Sequence, residues 1–75
     1  MDINTDKIDE AVLALLFLTL HDGFRAWKSF DWQAMNRLHE KGWIADPANK
    51  IKSVALRPEG VNEARRLFQE LFCRS

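Results

Sequence analysis

Residues 30–60 read FDWQAMNRLHEKGWIADPANKIKSVALRPEG, and the order of signals within them decides the fold. Asp31 stands where a short side-chain oxygen can cap a helix. From Trp32 to Lys41, the residues Trp32, Met35, Leu38 and His39 recur at i, i+3, i+6 and i+7 and predict an inward stripe. Gln33, Asn36, Arg37, Glu40 and Lys41 then face away. Gly42 ends this helix, because glycine takes the left-handed conformation that other residues avoid. Trp43–Ala45 follows as a short strand. Asp46-Pro47-Ala48-Asn49 is a turn, with proline pre-set for its second position. Lys50–Arg57 returns as a strand with Val54 and Leu56 on one face, and Pro58 opens a last helix where its missing N–H costs nothing. The order is helix, β-hairpin, helix.

Upstream, Thr5 or Asp6 caps a helix running to about His21, with Asp9 and Glu10 at the positive end of its dipole and Gly23 as its stop. Ile8, Val12, Leu15 and Leu16 form one stripe of this helix, and Leu13, Phe17 and Leu20 cover the other side. A helix apolar all round is buried on all sides, and two further elements of a 75-residue chain hardly enclose it. The expectation is a homodimer contact through Leu13, Leu16, Phe17 and Leu20. Between the helices, Phe24, Ala26 and Phe30 alternate with Arg25 and Trp27. This segment reads as a short strand added to the hairpin edge, or as a single helical turn; the period-2 pattern favours the strand. Downstream, Val61, Ala64, Phe68, Leu71 and Phe72, with Leu67 beside them, give the last helix its apolar face.

The whole chain, 1–75, is one domain, and a chain this short buries only about 60% of the surface its unfolded form exposes. Three Trp and five Phe supply large anchors for a small core, so the indoles of Trp27, Trp32 and Trp43, with Phe24 and Phe30, are expected to form an aromatic core cluster. A stacking platform for single-stranded nucleic acid is the less favoured use of the same rings. Net charge is zero, but unevenly spread. Residues 1–24 set Lys7 against five carboxylates, a net of −4, and residues 25–57 set seven cations against three carboxylates, a net of +4. The single Cys73 cannot form an intrachain disulfide, the acidic start lacks a cationic leader, and the apolar run Ala11–Leu20 falls short of the ~18 residues a membrane span needs. A cytoplasmic location without membrane contact is expected.

Leu38-His39-Glu40-Lys41-Gly42-Trp43-Ile44, followed by Val54-Ala55-Leu56-Arg57-Pro58-Glu59-Gly60, resembles winged-helix bacterial regulators over residues 31–72. Arg57 stands where that group commonly has threonine, and the short spacing between the first two helices leaves out one helix of a helix-turn-helix. The stretches IDEAVLALL, LTLHDGFRAWK, FDW and RLHEKG also resemble a family of short bacterial proteins known only as a domain of unknown function. That resemblance implies a bacterial source and no activity. The predicted fold is α+β, a small winged-helix-like domain: helix, short strand or turn, helix, β-hairpin, helix.

The candidate functional residues follow from that frame. If the unit meets double-stranded DNA, the second helix presents Gln33, Asn36, Arg37 and Lys41 to base edges, and Lys50 and Lys52 meet phosphates with Arg25 and Lys28. His21-Asp22 and His39-Glu40 lack a second ligand at i+3 or i+4, so no metal site is expected. The glycines at 23, 42 and 60 stand apart and make no phosphate loop, and Cys73 has no evident base partner. The expectation is a non-enzymatic binding module with no cofactor and no small-molecule substrate, contacting DNA. The alternative is a protein–protein adaptor or inhibitor that uses the apolar first helix and the aromatic surface.

Overall fold

The computed structural model describes residues 1–29 and 31–74. Phe30, read above as part of the alternation and of the aromatic cluster, lies outside the described residues. The elements are α1 (Thr5–Leu18), β1 (Arg25–Trp27), α2 (Trp32–Glu40), β2 (Ser53–Ala55) and α3 (Pro58–Phe72). This is a small α+β domain, consistent with a winged-helix-like arrangement in which β1 pairs antiparallel with β2, Ala26 opposite Val54.

Asn4, one residue before the expected caps, starts α1: its Oδ1 accepts from the Lys7 amide at 3.1 Å. The helix stops at Leu18 rather than His21. His21 instead exchanges backbone hydrogen bonds with Arg25 at 2.7 and 2.9 Å, so the last expected turn is drawn into the sheet. Asp31 occupies the cap position of α2, but its side chain makes no capping bond. Gly42 ends the helical segment with φ +85°, as expected.

The hairpin is shorter than predicted on both arms, and the return strand expected over residues 50–57 is reduced to β2, Ser53–Ala55. Its first arm is a single pairing, Ile44 with Leu56, flanked by Ala45 N–H to Ala55 O and Arg57 N–H to Trp43 O, both 2.9 Å. Buried Pro47 follows at once and has no N–H to continue the ladder. The main partner of β2 is therefore β1, the strand reading of residues 24–29.

The core lies between α1, α2, the sheet and α3. It holds Leu13, Ala14 and Leu16 of α1, Met35 and Leu38 of α2, Ile44, Val54 and Leu56, and Ala64 and Leu67 of α3. Phe17 packs on Phe68 with ring centroids 5.3 Å apart. Leu13 and Leu16 are thus inside the chain's own core, Phe17 is half-buried against α3, and Leu20 is half-buried against the same cluster. The four residues expected to meet a second copy are taken up within one chain, Phe17 against Phe68 of α3 and the others in or against the core. The apolar side chains that α1 leaves outside are Ile8, Leu15 and Leu18.

The aromatic expectation is corrected in the same way. Trp43 packs partly on the core, but Trp27 and Trp32 are 54% and 51% exposed and Phe24 is exposed as well. The inner face of α2 is centred on Ala34, Met35 and Leu38, and Trp32 stands at the helix mouth beyond it.

Candidate functional site

The candidate residues fall into separate places. Gln33 and Asn36 are exposed on the outer side of α2. Arg37 and Lys41, expected beside them, turn instead to Asp9 of α1. The Arg37 guanidinium donates through Nε (3.0 and 2.8 Å) and one terminal nitrogen (2.8 Å) to both carboxylate oxygens, and Lys41 Nζ adds a bond of 2.9 Å. Lys41 also reaches exposed Asp6 at 3.4 Å. Asp9 is 1% exposed, a buried carboxylate that two cations from one helix hold against another. Burial pushes its pKa up, but the hydrogen bonds from Arg37 and Lys41 and their charges outweigh this and hold the carboxyl below its ordinary value of 3.8. The same hydrogen bonds to Asp9 raise Lys41 above its ordinary 10.5 and raise Arg37 as well.

A cleft of about 270 Å³ adjoins this cluster, with Asp9, Glu10, Leu13, Leu38, Trp43 and Glu63 in its wall. A carboxylate held ionised with its oxygens filled is a poor proton acceptor near neutral pH, so Asp9 suits joining two helices better than acid–base work. Glu63, beside it, is likewise held down by its 2.7 Å contact with Arg66.

The remaining candidate cations lie around β1 and the segment that leads into β2. Arg25 lies across the strand pair, donating from Nε to Ser53 Oγ at 2.9 Å and from a terminal nitrogen to Ser53 O at 3.3 Å. Lys28 Nζ donates to Asn49 O and Oδ1 at 3.0 and 2.9 Å, and sits 5.6 Å from the ring centroid of Trp32. Its backbone N–H bonds Lys52 O at 3.0 Å. Lys28 therefore ties β1 to the 49–52 segment and leans over the first residue of α2. An open groove of about 450 Å³ results, lined by Trp27, Lys28, Trp32, Asn49, Lys50, Ile51 and Lys52. No carboxylate is among these residues. Lys50 and Lys52 are exposed, and among the described residues neither makes an ion pair. Trp27 is held by His21, with ring centroids 4.7 Å apart.

Three of the eight candidate DNA contacts, Lys28, Lys50 and Lys52, are therefore brought to one groove. Trp27 and Trp32, expected in an aromatic core, line that groove instead. The signal available was that Trp27 alternates with buried Ala26 along a strand and so points to the opposite face. Asp9 was read only as a helix-end charge; its burial depends on the packing angle of α1 on α2, which no local pattern carries.

Over residues 4–74 the chain matches the family described as Domain of unknown function (DUF6429). It belongs to this family. A relative, the "Uncharacterized protein y4hR" of Sinorhizobium fredii, is 57% identical over 74 residues, covering 99% of this chain and 100% of the relative. The resemblance to a short bacterial family of unknown function is borne out at that level. No solved structure matches the DUF6429 chain. Among its described residues, no helix is long and apolar enough to cross a membrane.

Proposed function

We propose that the chain is a non-enzymatic binding module that contacts nucleic acid through the face formed by β1, the start of α2 and residues 49–52. The observation that carries this reading is the convergence of Lys28, Lys50 and Lys52 on one groove without a lining carboxylate, in a molecule of zero net charge. Lysines without acidic neighbours attract phosphates and release counterions on contact. The outer face of α2 carries less of the interaction, since Arg37 and Lys41 are already paired with Asp9.

The test is an anisotropy titration of labelled oligonucleotides, duplex and single-stranded, at low salt. Binding should weaken with salt along a log–log slope of about −2 to −3, the release expected from three phosphate contacts. Lys50→Ala with Lys52→Ala should flatten that slope by about 1 to 2. No binding of either oligonucleotide at micromolar protein would sink the proposal.

A second reading, a protein–protein adaptor or homodimer, is favoured by one specific observation. Ile8, Leu15 and Leu18 are 36%, 48% and 66% exposed along α1, and Leu15 also lines an apolar groove of about 210 Å³ with Val12, Leu16 and Trp27. Its test is the mass in solution and the response of that mass to Leu15→Glu with Leu18→Glu.

A further inference from the structure

We infer that the groove between Trp27 and Trp32 is a base-stacking site that selects single-stranded nucleic acid over duplex, an inference that rests on the nucleic-acid reading above. A duplex needs cations only along its backbones, and its bases, already stacked on one another, offer side chains nothing but their edges. Two half-exposed indoles beside the cations have no use there. An unpaired strand presents flat faces as well as phosphates, and every base has a face to stack.

The arrangement of the groove fits such a strand. Each ring is held by one neighbour, Trp27 by His21 at 4.7 Å between centroids and Trp32 by Lys28 at 5.6 Å, while about half of each side chain stays exposed. Rings fixed before the ligand arrives lose little freedom on binding, which favours a platform over a collapsed cluster. The cations are interleaved with apolar surface, as phosphates are with bases: Lys50 and Lys52 flank Ile51, itself 59% exposed. Lys28 also clamps Asn49 through two hydrogen bonds, so the wall opposite the indoles is anchored to the strand that carries Trp27. Packing does not account for these exposed rings: the core closes over Ala26 and Met35 and leaves both tryptophans outside it.

The experiment compares oligo-dT and oligo-U of about ten nucleotides with a duplex of the same length, followed by tryptophan fluorescence and anisotropy at low salt. Single strands of either sugar should bind more tightly than the duplex and quench the indole emission. Trp32→Ala should weaken single-strand binding roughly tenfold and leave duplex binding unchanged. Trp27→Ala should act in the same direction. Lys52→Ala should weaken single strand and duplex alike. Circular dichroism accompanies each variant. Trp32, at the exposed mouth of α2, keeps the test decisive if the Trp27 variant unfolds. Equal binding of duplex and single strands, insensitive to Trp32→Ala, would overturn the stacking site and leave nucleic-acid contact standing. Absence of binding to all three probes would overturn both.

Discussion

Asp9 is a buried carboxylate at the junction of α1 and α2. A carboxylate 1% exposed is tolerable only because Arg37 and Lys41 fill both of its oxygens. Asp9→Asn keeps the shape and removes the charge, leaving two partly exposed cations that water can resolvate. The expected loss is about 2 kcal/mol, roughly 10 °C in Tm for a domain this size. Because the folded pKa lies below 3.8, the ionised carboxylate stabilises the fold above that pH, and the contribution is lost as pH falls through the folded value. Lys41 acts with the opposite sign: its contribution is complete below 10.5 and fades as pH rises through its raised folded value. Denaturant unfolding of wild type and Asp9→Asn from about pH 6 down to about pH 2 checks the acid side, the difference between them shrinking below about pH 4; parallel curves for the two proteins over that range would refute the assignment. Gly60 makes a steric demand of another kind. A Cβ there would run into the Trp43 backbone carbonyl, so Gly60→Ala must push α3 away from the end of α2. A loss of about 1–3 kcal/mol in thermal or urea unfolding is expected, whereas Gly42→Ala, with open space but φ +85°, should cost nearer 1–2 kcal/mol from backbone strain alone.

At the level of elements, the punctuation of the chain was legible and its facing was not. Gly42, Asp46-Pro47 and Pro58 act locally, through backbone conformation and missing donors, and each stands at the boundary its chemistry dictates. The facing of α1 depends on which element lies alongside. Its apolar residues cover both sides, so periodicity alone could not tell that the core would take Leu13 and Leu16 and leave Leu15 and Leu18 outside. Ile8, Ala11, Leu15 and Leu18 then recur at spacings of three, four and three, the pattern of a two-helix seam. If a second copy uses that seam, light scattering should give twice the chain mass, and Leu15→Glu with Leu18→Glu should return it to the monomer with the helical signal intact. The same pair in the core, Leu13→Glu with Leu16→Glu, should unfold the chain instead, because a carboxylate there has no partner. A wild-type monomer at high concentration would retire the seam as a self-contact.

For the molecule as a whole, pairing redistributes a charge balance that sums to zero. The acidic first segment and the basic middle segment meet where Asp9 and Asp6 take Lys41 and Arg37, so those cations are neutralised at the junction of α1 and α2. Three of the cations that remain gather in a separate groove, at Lys28, Lys50 and Lys52. A composition count gives no hint of this, since it weighs Arg37 and Lys52 equally; a buried carboxylate separates them. The consequence is a division of labour among cations that can be measured. Arg37→Gln should lower thermal stability while leaving the salt slope of oligonucleotide binding unchanged in the folded protein, because its charge already belongs to Asp9. Lys52→Gln should do the reverse, with Tm little altered and the slope less steep by about 0.7 for a single strand. If Arg37→Gln flattened the slope as much as Lys52→Gln at a temperature where both are folded, phosphates would be competing with Asp9 for the guanidinium. The outer face of α2, with Gln33 and Asn36, would then have to be restored as the contact surface.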